Sequence, residues 1–402
     1  MSAAAAAAAN ASDLAEVKGG DDKDSCQVCR KSSDDILPKA FLQYLNDSWT
    51  AFHAVAECKK QLQAAGFHEI SERDTWYDVV KPNGRYFYTR NGSAIVAFAV
   101  GGQYKPGNGF IVVGGHTDSP CLKLKPKSKR EKTGYTQIGC QFYGGGLWST
   151  WFDRDLSVAG RCLVRRGDRV THELVKIPKP ICRVPMLAVH LARGSGTKVE
   201  INKEEHLSAI LSTRVFDQVN AAKSSSEKEG GGEGKDKDKE KDKAAPIAGS
   251  MEDNHCPELL HLVAEHLGCA PQDILDFELQ LCDTQPSAMG GVHDEFIYSG
   301  RLDNLCSVFC GTRALIDTSG AGDAAAEASL ESDSVVRLFA GFDHEEIGSS
   351  SAPGAAGTLM PDALKRIANA LAWKVGACSA LLCSDLICSA PTYSPVLTFS
   401  LL

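Results

Sequence analysis

Two apolar runs constrain this chain more than anything else in it. Phe110 to Gly115, "FIVVGG", is continuous rather than alternating, and Val335 to Phe342, "VVRLFAGF", reads as another buried strand, apolar apart from Arg337. A strand apolar on both faces is stable inside a sheet that is covered on both sides, the arrangement of α/β folds. In open α/β sheets ligands gather beyond the carboxyl ends of the strands. Polar groups follow each run at that point: "HTDSP" after the first and "DHEEIGSSSAPGA" after the second.

The surrounding sequence completes a sheet with helices. Phe41, Tyr44 and Leu45 sit at helical spacing before "NDS" (Asn46 to Ser48) breaks and caps. Phe52, Val55, Ala56 and Leu62 then continue an apolar face as far as Gly66. Asn91-Gly92 between "RYFYT" and "SAIVAFAV" predicts a tight hairpin. Lys123 to Lys132 is basic and polar, and strand patterning resumes around "QIGCQFYGGGLWSTWFDRDLSVAGRCLVRR". "SMEDNHCPELLHLVAEHLG" reads as one capped helix and "ILDFELQLCD" as a strand. Lys223 to Lys243, "KSSSEKEGGGEGKDKDKEKDK", has too little apolar surface to offset its ordering entropy, so 223–249 is expected to be a disordered insertion.

Composition narrows the function. The 402 residues are 43% hydrophobic and 23% charged, ample for a large core, and the net charge of −8 gives no basic field for nucleic acid or an anionic membrane. The longest apolar runs fall short of the roughly 20 residues a membrane helix needs. Residues 1–35 lack both a signal-peptide core and an Arg-rich transit pattern and are expected to be a disordered tail. Fifteen cysteines without an export signal indicate reduced thiols and a cytoplasmic protein. Cys26 and Cys29 form half of a zinc-ribbon pattern with no second pair at suitable spacing.

Three places carry candidate chemistry. His116 follows the first buried run, with Asp118 two residues on to orient it. Asp303 lies in "SGRLDNL", and Glu345-Glu346 follows the second run. Each has a plainer reading alone: a hydrogen-bonded strand-end histidine, a helix cap, a solvated acidic turn. Together they supply nitrogen and oxygen ligands for zinc, manganese or cobalt, with a spare glutamate to activate water.

"GGHTDSPCLKLK", "YGGGLWSTWFDRDLSVAGR", "RVPMLAVHLAR", "SGRLDNL" and "DHEEIGSSSAPGA", in this order, resemble the M18 family of zinc aminopeptidases over about Ile36 to Trp373. The resemblance implies an α/β zinc-exopeptidase catalytic domain, with a mixed sheet and flanking helices, interrupted by a mostly β dimerisation domain. The catalytic parts would be 36–124 and 287–373, and the interruption 125–286. It further implies a homo-oligomer of twelve subunits that removes N-terminal Asp or Glu from peptides with two zinc ions per subunit. His116 matches a ligand of one zinc, Asp303 the bridging carboxylate, Glu346 a ligand of the second zinc and Glu345 the general base. Asp118 matches the acidic residue behind the histidine, and His190 a loop histidine that reaches a neighbouring subunit's site.

The family pattern also implies an Asp in a strand ending Ser-Ala-Asp-Met-Ala-His and a late His ligand. Asp385, in "ALLCSDL", is the candidate for the first, without the Ala or the Met-Ala-His; the second has no candidate. Residues 374–402 therefore read as an atypical tail on a C-terminally truncated member. The alternative function is an inactive isoform acting through assembly with a full-length subunit.

Overall fold

The computed structural model describes residues 36–188, 190–191, 201–202, 204–214, 251–373 and 399–401. The expected tail 1–35 with Cys26 and Cys29, the charged insertion 223–249, and Asp385 with most of 374–402 lie outside these residues. The chain separates into two units, Met1–Phe41 and Leu42–Leu402. In chain order the helices are α1 (Ile36–Asp47), α2 (Ala51–Ala64), α3 (Met251–Asn254), α4 (Pro257–Leu267), α5 (Leu302–Ser319), α6 (Ala324–Ser332) and α7 (Leu359–Trp373).

The first sheet contains β1 (His68–Glu69), β2 (Arg85–Arg90), β3 (Ala94–Val100) and β4 (Phe110–His116). The second contains β5 (Cys121–Lys132), β6 (Tyr135–Tyr143), β7 (Leu156–Arg166), β8 (Arg169–Lys176), β9 (Ala209–Thr213) and β10 (Ile274–Asp283). A short hairpin, β11 (Ala288–Gly290) and β12 (Phe296–Tyr298), precedes the last strands of the first sheet, β13 (Val336–Phe342) and β14 (Phe399–Leu401).

The first sheet runs β1-β2-β3-β13-β4-β14 and is mixed. Asn91 and Gly92 both take positive φ (58° and 68°) in the tight turn of Asn91, Gly92 and Ser93 that joins β2 and β3, which pair antiparallel with Arg90 opposite Ala94. β13 pairs antiparallel with β3 and parallel with β4, in a register that sets Phe342 opposite His116. Two carboxyl ends far apart in sequence thereby lie side by side at one end of the sheet. Leu359, Ala363, Ile367 and Leu371 of α7 pack in one core with Val96, Phe98, Leu338 and Ala340. On the other face α5 comes close at Gly311, where an added Cβ would meet the Phe339 ring at 2.6 Å and Val113 at 3.3 Å.

The strand buried at every position is β3 rather than β4. In β4 only Val112 is fully buried and Ile111 is 54% exposed, because the strand lies one place from the sheet edge. The run "FIVVGG" is a strand, as its composition predicts, but is less enclosed than a continuous apolar run implies.

The second sheet is antiparallel throughout, in the order β8-β7-β10-β5-β6-β9. The basic stretch after Cys121 is itself a strand: Leu122, Leu124 and Ser128 are buried while Lys127 and Lys129 reach solvent. Leu259, Val263 and Ala264 of α4 join Leu122, Ile138, Val158 and Leu279 in its core. Met251 to Leu267 is not one helix. Pro257 lacks an N–H and cannot continue α3, so the chain restarts with Pro257 in the first turn of α4 and closes at Gly268, φ 63°. The cap of α2 is Thr50, whose side chain accepts from the His53 N–H, rather than "NDS". Among the described residues ten cysteines are all free and seven of them buried. No helix there is long and apolar enough to cross a membrane.

Candidate metal centre

The site is assembled by three chain segments beyond the carboxyl ends of β4 and β13. His116 is the last residue of β4, and Glu345 and Glu346 open a single 3-10 turn three residues past β13. That turn is bounded by His344 (φ 62°) and Gly348 (φ 100°), two left-handed positions that reverse the chain so the glutamates come back over the strand ends. Asp303 sits in the first turn of α5, where regular helical dihedrals are interrupted at Asp303 and Asn304. The helix-cap reading of Asp303 does not hold, since its carboxylate faces His116.

Ligating atoms of His116, Glu345 and Glu346 all lie within 4.8 Å of one another. His116 Nε2 is 3.2 Å from Asp303 Oδ1 and 3.7 Å from Glu345 Oε2. Asp303 thus adjoins the three-residue cluster through the imidazole. On the opposite side of the ring, Nδ1 is 3.0 Å from the Asp118 carbonyl and 3.4 Å from its carboxylate. The main-chain N–H of His116 donates to Asn304 Oδ1 at 3.2 Å, which ties the strand end to α5. An added Cβ on Gly115 would stand 2.8 Å from that oxygen, so glycine before the histidine is what lets the helix come in.

Asp118 is 4% exposed and acts as the hub of the site. Its Oδ1 accepts from the Glu345 N–H at 3.2 Å. Its Oδ2 accepts from the Glu346 N–H at 3.1 Å and from the Tyr143 hydroxyl at 2.6 Å. Burial disfavours its charge, but the hydrogen bonds from His116, Tyr143 and Glu346 outweigh that and hold its pKa below the usual carboxylate value. Burial likewise favours a neutral His116, yet the bond and charge of Asp118, with Glu345 behind, raise it to about 9. Glu346 is pushed up by burial, opposed by His116 and reinforced by the charges of Asp118, Glu345 and Asp303.

One imidazole and a ring of crowded, mutually repelling carboxylates make a donor set suited to zinc or a similar divalent ion. A histidine whose second nitrogen is fixed by a carboxylate is the usual support for a metal-binding imidazole. The residues present therefore fit a metal.

The structure brings together His116, Asp118, Asp303, Glu345 and Glu346. His190 lies in an exposed turn closed by the Leu191 N–H to the Ala188 carbonyl, and among the described residues it makes no hydrogen bond or ion pair with the cluster. Sequence reading missed Tyr143, Gly144 and Asn304. The signal was present in "YGGGLW", where a glycine run against an aromatic marks a close approach of backbone.

Beside Asp303 opens a cavity of about 490 Å³, bounded by Trp49, Ser119, Trp151, Tyr298 and Arg301 among others. Arg154 in its wall is paired with Asp283 at 2.5 Å. Arg301 makes no side-chain ion pair among the described residues, and its buried Nε has no hydrogen-bond partner.

Residues 44–394 match the family model described as aminopeptidase I zinc metalloprotease (M18). The match runs past Trp373, where the resemblance read from the sequence stops, and takes in Asp385. The chain is 49% identical over 331 residues to a probable aspartyl aminopeptidase of Ricinus communis, covering 81% of this chain and 65% of that protein. It is 46% identical to the aspartyl aminopeptidase of Aspergillus oryzae, covering 81% and 64%. The chain thus spans somewhat under two thirds of the length of these relatives. Among solved structures, Ape4 in its complex with Nbr1 superposes with a TM-score of 0.71 at 36% identity, covering 84% of this chain and 60% of that one. The mApe1 of Chaetomium thermophilum gives 0.70 at 35%, covering 84% and 68%. The mApe1 dodecamer of Saccharomyces cerevisiae gives 0.66 at 27%. With the mixed sheet, its flanking helices and the matched residues in agreement, this chain belongs to the M18 family of aminopeptidases.

Proposed function

We propose that this protein is a metal-dependent aminopeptidase that removes an N-terminal Asp or Glu from peptides by activated-water hydrolysis. The observation that carries this reading is the convergence of His116, Glu345 and Glu346 within 4.8 Å at the shared ends of two parallel strands, with Asp303 against the same imidazole. His116, Asp303 and Glu346 would hold two zinc ions, with Asp385 as a further ligand. Bound zinc would polarise the scissile carbonyl and lower the pKa of water. Glu345, 53% exposed and 3.7 Å from the His116 ring, accepts the proton of the attacking water and returns it to the leaving amine. Asp118 keeps His116 in one orientation and fixes both glutamate N–H groups.

An acidic first residue calls for a cation near the reacting carbonyl. Arg301 supplies one: it borders the cavity that Asp303 also lines, and its guanidinium is unspent on any other described side chain. The second sheet, built wholly from strands between Cys121 and Asp283, would be the dimerisation domain of 125–286. Met186, Leu187 and Leu191 are exposed beside His190 and would meet another subunit in a dodecamer, with His190 reaching its active site. Unpaired buried cysteines accord with cytoplasmic placement.

The test is hydrolysis of an Asp-initiated peptide by the purified chain with added zinc, beside Glu345→Ala. The expected result is cleavage by the unaltered chain and a loss of at least about 100-fold in the variant with zinc still bound. Equal rates in the two would remove Glu345 from the reaction. Absence of zinc binding in both would remove the metal centre.

A further inference from the structure

We infer that Tyr143, the last residue of β6 in the second sheet, and Gly144, which follows it, form a brace that sets the geometry of the metal centre built on the first sheet. Tyr143 is a positioning residue acting through Asp118, and Gly144 is the clearance that admits Glu346. The inference rests on the metal reading above and extends it to residues outside the ligand set.

Two contacts from consecutive residues carry it. Asp118 receives hydrogen bonds or close approach from His116, the Glu345 N–H and the Glu346 N–H, all within the first sheet's own loops. Its shortest bond, 2.6 Å, comes instead from Tyr143 Oη. The tyrosine is itself held by the second sheet. Its backbone pairs with Cys121, and Lys123 Nζ stands 4.2 Å over its ring while pairing with Glu278 at 2.6 Å. Gly144 then turns with φ +80°, and a Cβ there would lie 2.9 Å from Glu346 Cβ, 3.2 Å from Glu346 Oε2 and 3.4 Å from Pro120. One strand end therefore presses on both the carboxylate that orients His116 and the side chain of a candidate ligand.

The physical consequence follows from where Asp118 sits. A buried carboxylate with several donors has its plane fixed by their joint directions, and removing the strongest donor lets it rotate toward the rest. Rotation loosens His116 and both glutamate N–H groups together. Groups that orient metal ligands in this way typically change metal affinity 10- to 100-fold when removed. A tether that merely holds two sheets together would change unfolding and leave zinc affinity alone.

The test measures zinc affinity of the full chain by competition with a chromogenic chelator, with the thermal midpoint of the zinc-free protein recorded in parallel. Tyr143→Phe is expected to weaken zinc roughly 10- to 100-fold. Tyr135→Phe, at the exposed start of the same strand, leaves affinity within about twofold. In an Asp118→Ala background the Tyr143→Phe change should add almost nothing, because both act through one carboxylate and their effects do not sum. Gly144→Ala, which keeps the tyrosine bond, is expected to weaken zinc independently through Glu346; it keeps the question open to measurement should Tyr143→Phe fold poorly. Unchanged affinity in both Tyr143→Phe and Gly144→Ala, or full additivity with Asp118→Ala, overturns the brace alone. If the unaltered chain binds no zinc, the metal reading falls and the brace with it.

Discussion

Glu345 and Glu346 are neighbours in sequence and meet different surroundings. The first is half exposed and faces the imidazole, while the second is crowded by other carboxylates and lies against Gly144. In the proposed reaction that difference would suit Glu345 to move a proton and Glu346 to stay in place. Asp303 and Arg301 divide in a similar way, two residues apart on one turn: the carboxylate meets His116, and the guanidinium borders the cavity. Arg301→Met should therefore lower the preference for Asp over Asn at the peptide N-terminus by about 10- to 100-fold in kcat/KM, the worth of a hydrogen bond to a charged group, while zinc content stays at the level of the unaltered chain. Comparison of two otherwise identical peptides reads this directly, and an unchanged preference would place the recognising cation elsewhere.

At the scale of elements, α2 and α5 each carry a position whose change has a calculable sign. Gly311 lies within α5, where alanine would gain about 1 kcal/mol of helix propensity. The new Cβ would meet Phe339 at 2.6 Å, and that ring is 1% exposed with nowhere to go. Overpacking costs about 1–3 kcal/mol, so Gly311→Ala is expected to be net destabilising and to lower the midpoint in urea. His53 lies in the first turn of α2 with Nδ1 2.9 Å from Thr50 Oγ1. Burial, with Lys176 adding to it and Asp47 opposing, pushes its pKa down to about 4. The folded state refuses a proton that the unfolded chain accepts below pH 6.5. Stability is thus full above pH 6.5, declines as pH falls toward about 4, and then levels, a swing of about 3 kcal/mol. Urea unfolding across that window should show the slope, and His53→Gln should flatten it. Elements with strong local signals were legible in advance: the Asn91-Gly92 hairpin, β10, and the two runs that became β4 and β13. The strand β5 was not, because its lysines mask an alternation that becomes evident only once β6 and β10 flank it. The break between α3 and α4 was written in Pro257 and passed over for the helical spacing around it.

Across the whole molecule, the metal centre joins segments separated by more than two hundred residues, and a cation there would bind the folded state alone. Zinc removal by a chelator is expected to abolish hydrolysis and lower the unfolding free energy; zinc at 100 times its dissociation constant should restore about 2.7 kcal/mol. Calorimetry with and without chelator checks this, and an unfolding midpoint indifferent to zinc would count against a site made by folding. The sequence alone determined the residue types available for that site, the strands that carry them and the family that uses them, since apolar runs and ligand-bearing motifs are local properties. Only the tertiary structure decided which of them meet. The parallel register of β13 on β4 brings Phe342 level with His116, and the end of β6 places Tyr143 against Asp118. Register and the docking of one sheet on another depend on pairings between distant segments, and no local pattern in the chain encodes the distance at which two side chains come to rest.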